Sequence, residues 1–364
     1  MIGSRGFSGR TRFVSWLCRA LLGAAVVGLA GCAPDPAGEA PGPQFAAAQA
    51  VPARLPPHPA LTAAALVTTD GESLPLRQWL PQGPAKAVIL GLHGFNDYSK
   101  AFDTPAREWL KYGIATYAYD QRGFGATPGR GLWPGTAALL TDAVTAANLL
   151  RGQYPHTPVY LLGESMGGAV AILAAAGETG IRPAVDGVIL SAPAVWTRES
   201  MQFLPRLALW AGVRLFPGAV FTGESLHILA SDNIPMLIAL GKDPMVIKGA
   251  RVDAMYGLVN LMDRTIEAAP RLGMPLLLMY GAHDAVIPAD PVRAFAAALP
   301  PEPASRQRLA YYPRGYHMLL RDLDGKTVAG DVASWVLNRA APLPSHADAA
   351  PGRPWPPLTT AAGG

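Results

Sequence analysis

The sequence predicts an α/β fold: a mostly parallel central sheet flanked by helices, with a helical cap inserted between core strands. Three observations carry this reading. Apolar runs of strand length, such as Ala87 to Leu92, Ile114 to Tyr119 and Val185 to Leu190, alternate with longer helical patterns, the rhythm of strands buried on both faces. Gly163-Glu164-Ser165-Met166-Gly167 stands between the apolar run Val159 to Leu162 and the small-residue run Gly168 to Ala174, which reads as strand, sharp turn, helix. Finally, the alternation breaks once, from Pro193 to about Leu272, where large apolar side chains crowd together without that rhythm. An insertion there sits above the C-terminal ends of the strands.

Residues 1–31 read as a lipoprotein signal peptide. Arg5, Arg10, Arg12 and Arg19 occur with no acid, followed by the apolar stretch Ala20 to Leu29, too short to span a membrane. The run Leu29-Ala30-Gly31-Cys32 resembles the lipobox of bacterial lipoproteins. That resemblance implies lipidation at Cys32 and a membrane-anchored protein of the bacterial cell envelope, and Ala33 after the cysteine points to the outer membrane. Loss of the signal removes four of the 30 basic residues and none of the 26 acidic ones, so the mature chain is balanced in charge. The basic composition is therefore no sign of a nucleic-acid partner, and no basic patch carries interleaved aromatics. With Cys18 in the signal and Cys32 acylated, no disulfide is expected. Metal-ligand spacings such as H-E-x-x-H or paired cysteines are absent, so no metal is expected.

Residues 32–59, rich in Pro, Ala and Gly, read as a tether, and about 60–340 as one large domain. Leu61 to Thr69 and Leu74 to Leu80 form a hairpin across Asp70-Gly71 at the sheet edge. The strand Ala87 to Leu92 opens into His93-Gly94-Phe95-Asn96. Phe102 to Tyr112 fits an amphipathic helix with Trp109 and Leu110 inward. The strand Ile114 to Tyr119 ends in Asp120-Gln121-Arg122-Gly123-Phe124-Gly125, a cluster read as a charge-tied turn rather than catalytic machinery. Thr136 to Gln153 is a long helix. In the cap, Met201, Phe203, Leu204, Leu207, Leu209, Trp210, Val213, Leu215 and Phe216 form one dense segment, and Met255, Leu258, Val259, Leu261 and Met262 another. At least half are expected to pack the cap onto the body, the remainder lining an acyl-chain entrance. Thr327 to Arg339 is the last helix, with Trp335 and Val336 inward, and residues 341–364 are expected to be disordered.

The chemistry follows from the glycine-flanked serine. Ser165 is a weak nucleophile without a base, so an acid and a histidine are required downstream. The strand Met274 to Tyr280 runs into Gly281-Ala282-His283-Asp284, placing Asp284 where the loop leaves the strand. Arg308 to Tyr312 is another strand, followed by Pro313-Arg314-Gly315 and then Tyr316-His317. Ser165, His317 and Asp284 supply nucleophile, base and orienting carboxylate. His93 and His283 adjoin motif residues and are read as structural supports.

The set His93-Gly94-Phe95, Asp120-x-Arg122-Gly123-x-Gly125, Gly163-Glu164-Ser165-Met166-Gly167-Gly168, Gly281-x-x-Asp284 and Tyr316-His317 resembles the monoacylglycerol lipase and lysophospholipase branch of the α/β-hydrolases. Asp243-Pro244-Met245-Val246 and Arg251-Val252 in the cap are similar to that branch too. The resemblance implies a serine hydrolase that cleaves carboxylic esters of single-chain lipids by an acyl-enzyme route, with no cofactor. It also implies an oxyanion hole made by the backbone N–H groups of Phe95 and Met166. Two departures stand out: Phe95-Asn96 replaces the family's common small residue and glycine, and Glu164 replaces a common histidine. A small-ester esterase or a peptidase or amidase would use the same triad. A non-enzymatic surface lipoprotein would predict a broken triad, and Ser165 argues against the aspartate-nucleophile dehalogenases and epoxide hydrolases.

Overall fold

The computed structural model describes residues 59–222, 228–300, 307–349 and 355–356; the signal segment, Cys32 and the tether lie outside them. The strands are β1 (Ala60–Leu61), β2 (Ala65–Val67), β3 (Ser73–Trp79), β4 (Ala87–Leu92), β5 (Ile114–Tyr119), β6 (Val159–Glu164), β7 (Gly187–Ser191), β8 (Val220–Thr222), β9 (Gly249–Arg251), β10 (Leu276–Gly281) and β11 (Gln307–Tyr312). Nine of them form one sheet in the order β1-β2-β3-β5-β4-β6-β7-β10-β11. From β5 to β11 neighbouring strands are parallel, and β1, β2 and β3 add an antiparallel edge.

The helices are α1 (Asp103–Leu110), α2 (Thr136–Gln153), α3 (Met166–Ala175), α4 (Phe203–Leu215), α5 (Ile234–Lys242), α6 (Val252–Asp263), α7 (Thr265–Ala268), α8 (Ala289–Ala297) and α9 (Gly325–Leu337). Every side chain of β4, β5 and β6 is buried, as continuous apolar runs require of strands covered on both faces. Successive side chains alternate between the faces. Val88, Leu90, Leu161 and Leu278 pack with α2, α3 and α8, whereas Ile89, Leu162, Ile189 and Leu277 pack with α1 and α9. Trp109 and Trp335 anchor the second face, both almost fully buried, while Leu110 is only half-buried.

The Asp120 to Gly125 turn is tied as its composition suggests. Asp120 accepts from the Ser99 backbone N–H and hydroxyl and from the Ala126 N–H. Arg122 grips Asp142, Glu72 and Asp70, joining the edge hairpin to α2. The turn therefore fixes the strand ends that border the site.

The structure corrects two expectations, on the make-up of the cap and on the stretch after α9. The cap, between β7 and β10, is not purely helical: β8 and β9 pair as a short antiparallel ribbon, each too brief to leave a periodic signal. Of the dense apolar segment around α4, only Val213 is buried, and Phe203, Leu204, Leu207, Trp210, Leu215 and Phe216 are exposed. In the second segment Val259, Leu261 and Met262 are buried, and Met201, Leu209 and Leu258 pack against the core, so half of the cap's apolar residues pack onto the body as expected. The stretch after α9 is partly ordered, because β11 is an edge strand with unpaired backbone groups to satisfy. Tyr311 N–H donates to Ala347 C=O and Ala349 N–H to Leu309 C=O, with Leu343 and Ala347 buried. Further on, Trp355 is buried edge-on against Tyr280.

Candidate active site

Ser165 occupies the turn between β6 and α3 with φ 53° and ψ −116°, a strained conformation for a residue with a Cβ. It persists because the surroundings over-determine it. Its N–H donates to Ser191 C=O, and its own C=O accepts from the N–H groups of Gly168, Ala169 and Ala194. The flanking glycines serve close approach. A Cβ on Gly163 would collide with the Gly167 carbonyl, and one on Gly167 with that of Leu92 at the end of β4. The G-x-S-x-G spacing is thus what allows β4, β6 and α3 to converge under the serine.

Asp284 and His317 meet from the loops after β10 and β11. His317 Nδ1 lies 2.9 Å from Asp284 Oδ2, with both side chains almost fully buried. The other oxygen of Asp284 accepts from the N–H groups of Val286 and Ile287 at 2.8 and 2.9 Å. An ionised carboxylate only accepts, so Nδ1 carries the proton and Nε2 is free to act as base. Burial opposes a charge on the ring, but the Asp284 charge and hydrogen bond, helped by Glu164, outweigh it and raise the His317 pKa above the ordinary 6.5. A neutral ring is required of the base, so activity is lost as the pH falls through that raised value. The acid limb of kcat/KM is expected above pH 6.5; a pH profile on a short-chain ester checks this, and an inflection below that value would contradict it.

The loop after β4 borders the serine. A Cβ on Gly94 would lie 3.4 Å from Ser165 Cβ, so the loop backbone runs directly beside Ser165. Asn96 takes the left-handed conformation, φ 67°, that the family's glycine would supply at this position. Phe95 turns its ring edge-on to Phe124, 5.5 Å away. Neither the Phe95 N–H nor the Met166 N–H donates to a protein acceptor among the described residues. Met166 is the first residue of α3, where helix geometry leaves N–H groups unpaired and the dipole favours negative charge.

Ser165 and His317 line one cavity of about 1090 Å³. Its walls include Met255, Leu258, Val259 and Met262 of α6, with Met201 and Trp196 from the start of the cap. Its floor also carries charge: Asp97, Glu164 and Arg321. Sequence reading noted Glu164 only as a departure and missed Asp97 and Arg321, which lie far apart in the chain and form no local motif.

His93 is buried and neutral, its pKa lowered by desolvation. Its Nε2 accepts from Gln121 N–H and its Nδ1–H donates to Gly94 C=O, joining the loops after β4 and β5. His283 is exposed and stacks on Tyr316. Cys32 lies outside the described residues. Among the described residues, no three His, Cys, Asp or Glu side chains are grouped to hold a metal ion.

A mostly parallel sheet with a strained serine at a strand-to-helix turn, and a carboxylate-bound histidine lining the same cavity, defines an α/β-hydrolase. Residues 83–324 match the family model described as Serine aminopeptidase, S33, and the chain belongs to that family. It is 31% identical over 282 residues to the monoglyceride lipase of Rattus norvegicus, covering 76% of this chain and 90% of the relative. The monoacylglycerol lipase of Mycolicibacterium smegmatis is 28% identical over 265 residues, covering 71% and 91%. In fold, the chain resembles a soluble variant of monoglyceride lipase from Saccharomyces cerevisiae, solved with a substrate analog. The TM-score is 0.62 at 21% identity, covering 78% of this chain and 98% of that one.

Proposed function

We propose that this protein hydrolyses carboxylic esters of single-chain lipids, such as monoacylglycerol or lysophospholipid, through an acyl-enzyme on Ser165. The observation that carries the reading is a nucleophile and its base opening onto a cavity whose far wall is the apolar face of a cap helix. One acyl chain with a small alcohol fits that shape and polarity. Relatives named as monoglyceride lipases support the same substrate class.

In the first step Ser165 Oγ forms a bond to the ester carbonyl carbon while its proton passes to His317 Nε2. Negative charge gathers on the carbonyl oxygen, where the Phe95 and Met166 N–H groups receive it. Each such donor is worth about 2.7–4 kcal/mol of barrier. Collapse of the intermediate breaks the bond to the alcohol oxygen, which takes the proton from His317. Water then attacks the acyl-serine with His317 again as base, and the carboxylic acid leaves. The triad and the two donors carry every proton and charge in this sequence.

The outer face of α4 suits a lipid–water interface. Phe203 is 71% and Trp210 53% exposed, and Arg206 and Arg214 are the helix's charged residues, with no acid among them. An acylated Cys32 would hold this face near a bilayer in the bacterial cell envelope, where single-chain lipids partition.

The test is hydrolysis by the full chain of a short-chain p-nitrophenyl ester, a long-chain monoacylglycerol, a lysophospholipid and a peptide amide. Preference for either lipid supports the reading. Cleavage confined to the short ester makes the protein a small-ester esterase, and cleavage of the amide alone makes it a peptidase.

A further inference from the structure

Three loops must be held in register for the proposed ester hydrolysis, on which this inference rests: the loop after β4 with Phe95, the turn with Ser165, and the loop after β11 with His317. One side chain touches all three. Arg321 lies four residues after His317, in the short turn Leu319–Arg321. Its Nη1 donates to Asp97 Oδ2 at 2.8 Å, and Asp97 is two residues beyond Phe95. Its Nη2 donates to Glu164 Oε1 at 2.5 Å, and Glu164 directly precedes Ser165. The Arg321 carbonyl also accepts from Asn233 Nδ2, which starts α5 of the cap.

We propose that Arg321 is a positioning residue: through Asp97 and Glu164 its single guanidinium sets the oxyanion loop and the nucleophile turn against the histidine loop.

Stability alone does not account for this arrangement. The three side chains retain only 6%, 7% and 3% of their accessible surface. Removing such charges from water costs several kcal/mol per ion, and apolar replacements of buried ion pairs are often as stable or more so. The group also leaves hydrogen bonds unmade, since Glu164 Oε2 and Arg321 Nε are buried without a partner among the described residues. A fold that retains an expensive, incompletely satisfied ion triad against its catalytic loops retains it for geometry. The planar fork of arginine can hold two carboxylates in fixed directions, which the point charge of lysine cannot. The charges also reach the base: Asp284 and Glu164 favour the protonated His317 ring and Arg321 opposes it. Further charged groups around this loop are Asp322, bound to Ser231 and to the Tyr316 N–H, Asp232, which accepts from the Leu323 N–H, and the Arg314–Asp324 pair.

The experiment compares Arg321→Lys and Glu164→Gln with the native chain. It measures kcat and KM on a soluble short-chain p-nitrophenyl ester, counts functional sites by fluorophosphonate titration, and records pH profile and Tm. Positioning predicts a fall of about 10²-fold in kcat per titrated site, as expected for an ångström-scale misplacement, with KM little changed. Glu164→Gln should also move the acid limb to lower pH, because a carboxylate that favours the charged ring is gone. A lower Tm with kcat per titrated site within about twofold of native, and an unmoved acid limb, would mean a structural role only and overturn the proposal. If Arg321→Lys does not accumulate as folded protein, Glu164→Gln decides by the same ratio. A native chain that takes no fluorophosphonate and cleaves no ester would overturn the serine-hydrolase reading and this inference with it.

Discussion

Ser165→Ala is expected to lower kcat about 10⁶-fold, or about 8 kcal/mol of barrier, while the fold and ligand binding survive. In the proposed mechanism the hydroxyl is the only group that bonds to substrate, and neither His317 nor the oxyanion donors can act in its place. The change is small enough to leave the turn intact. Ser165 is held through its backbone, by Ser191, Gly168, Ala169 and Ala194, and alanine keeps all four of those hydrogen bonds. Relief of a strained Ser conformation is not expected either, because alanine carries the same Cβ at φ 53°. Turnover of a short-chain ester, with Tm as control, measures the effect; a loss under about 10²-fold would remove Ser165 from the nucleophile's role.

Asp284→Asn is expected to cost about 10⁴-fold, roughly 5 kcal/mol, with the structure again preserved. The direction follows from hydrogen bonds already present. The Val286 and Ile287 N–H groups need an acceptor, so the amide oxygen of the variant stays with them and the NH₂ group faces His317. Nδ1 must then accept, the ring proton shifts to Nε2, and the base meets Ser165 as a donor. The charge that raises the His317 pKa is lost as well, so the acid limb moves to lower pH even as kcat collapses. Steady-state kinetics across pH tests both parts. A variant with native kcat would show that the carboxylate neither orients nor charges the histidine.

The extent to which the sequence was legible tracks the range of the interactions involved. β4 and β5 were readable to the residue, because a central parallel strand is predominantly apolar, and Ala87 to Leu92 and Ile114 to Tyr119 are near-continuous apolar runs broken only by Thr116. The strand-to-helix turn at Ser165 was readable because close backbone approach demands glycine at Gly163 and Gly167. Asp284 and His317 followed from their places after two apolar strands. What was missed depends on partners distant in the chain. Arg321 meets Asp97 across 224 residues and Glu164 across 157, separations at which no local spacing survives. The ordered stretch after α9 has the composition of a disordered tail and is held by pairing with the edge of β11, which its own residues do not announce. Half of the cap's apolar residues were expected to pack onto the body and half do, but which half was not legible, because hydrophobicity alone does not say whether a face meets protein or another apolar phase.

In the proposed mechanism Ser165 forms a covalent acyl intermediate with a long-chain lipid ester. The most direct measurement is mass spectrometry of the native chain, rapidly quenched in acid during turnover of a long-chain monoacylglycerol, followed by peptide mapping. The predicted result is one acyl group per chain on the peptide containing Ser165, and none on a Ser165→Ala control. Acylation at another residue, or product formed by the native chain with no acyl group ever trapped on Ser165, would contradict the mechanism.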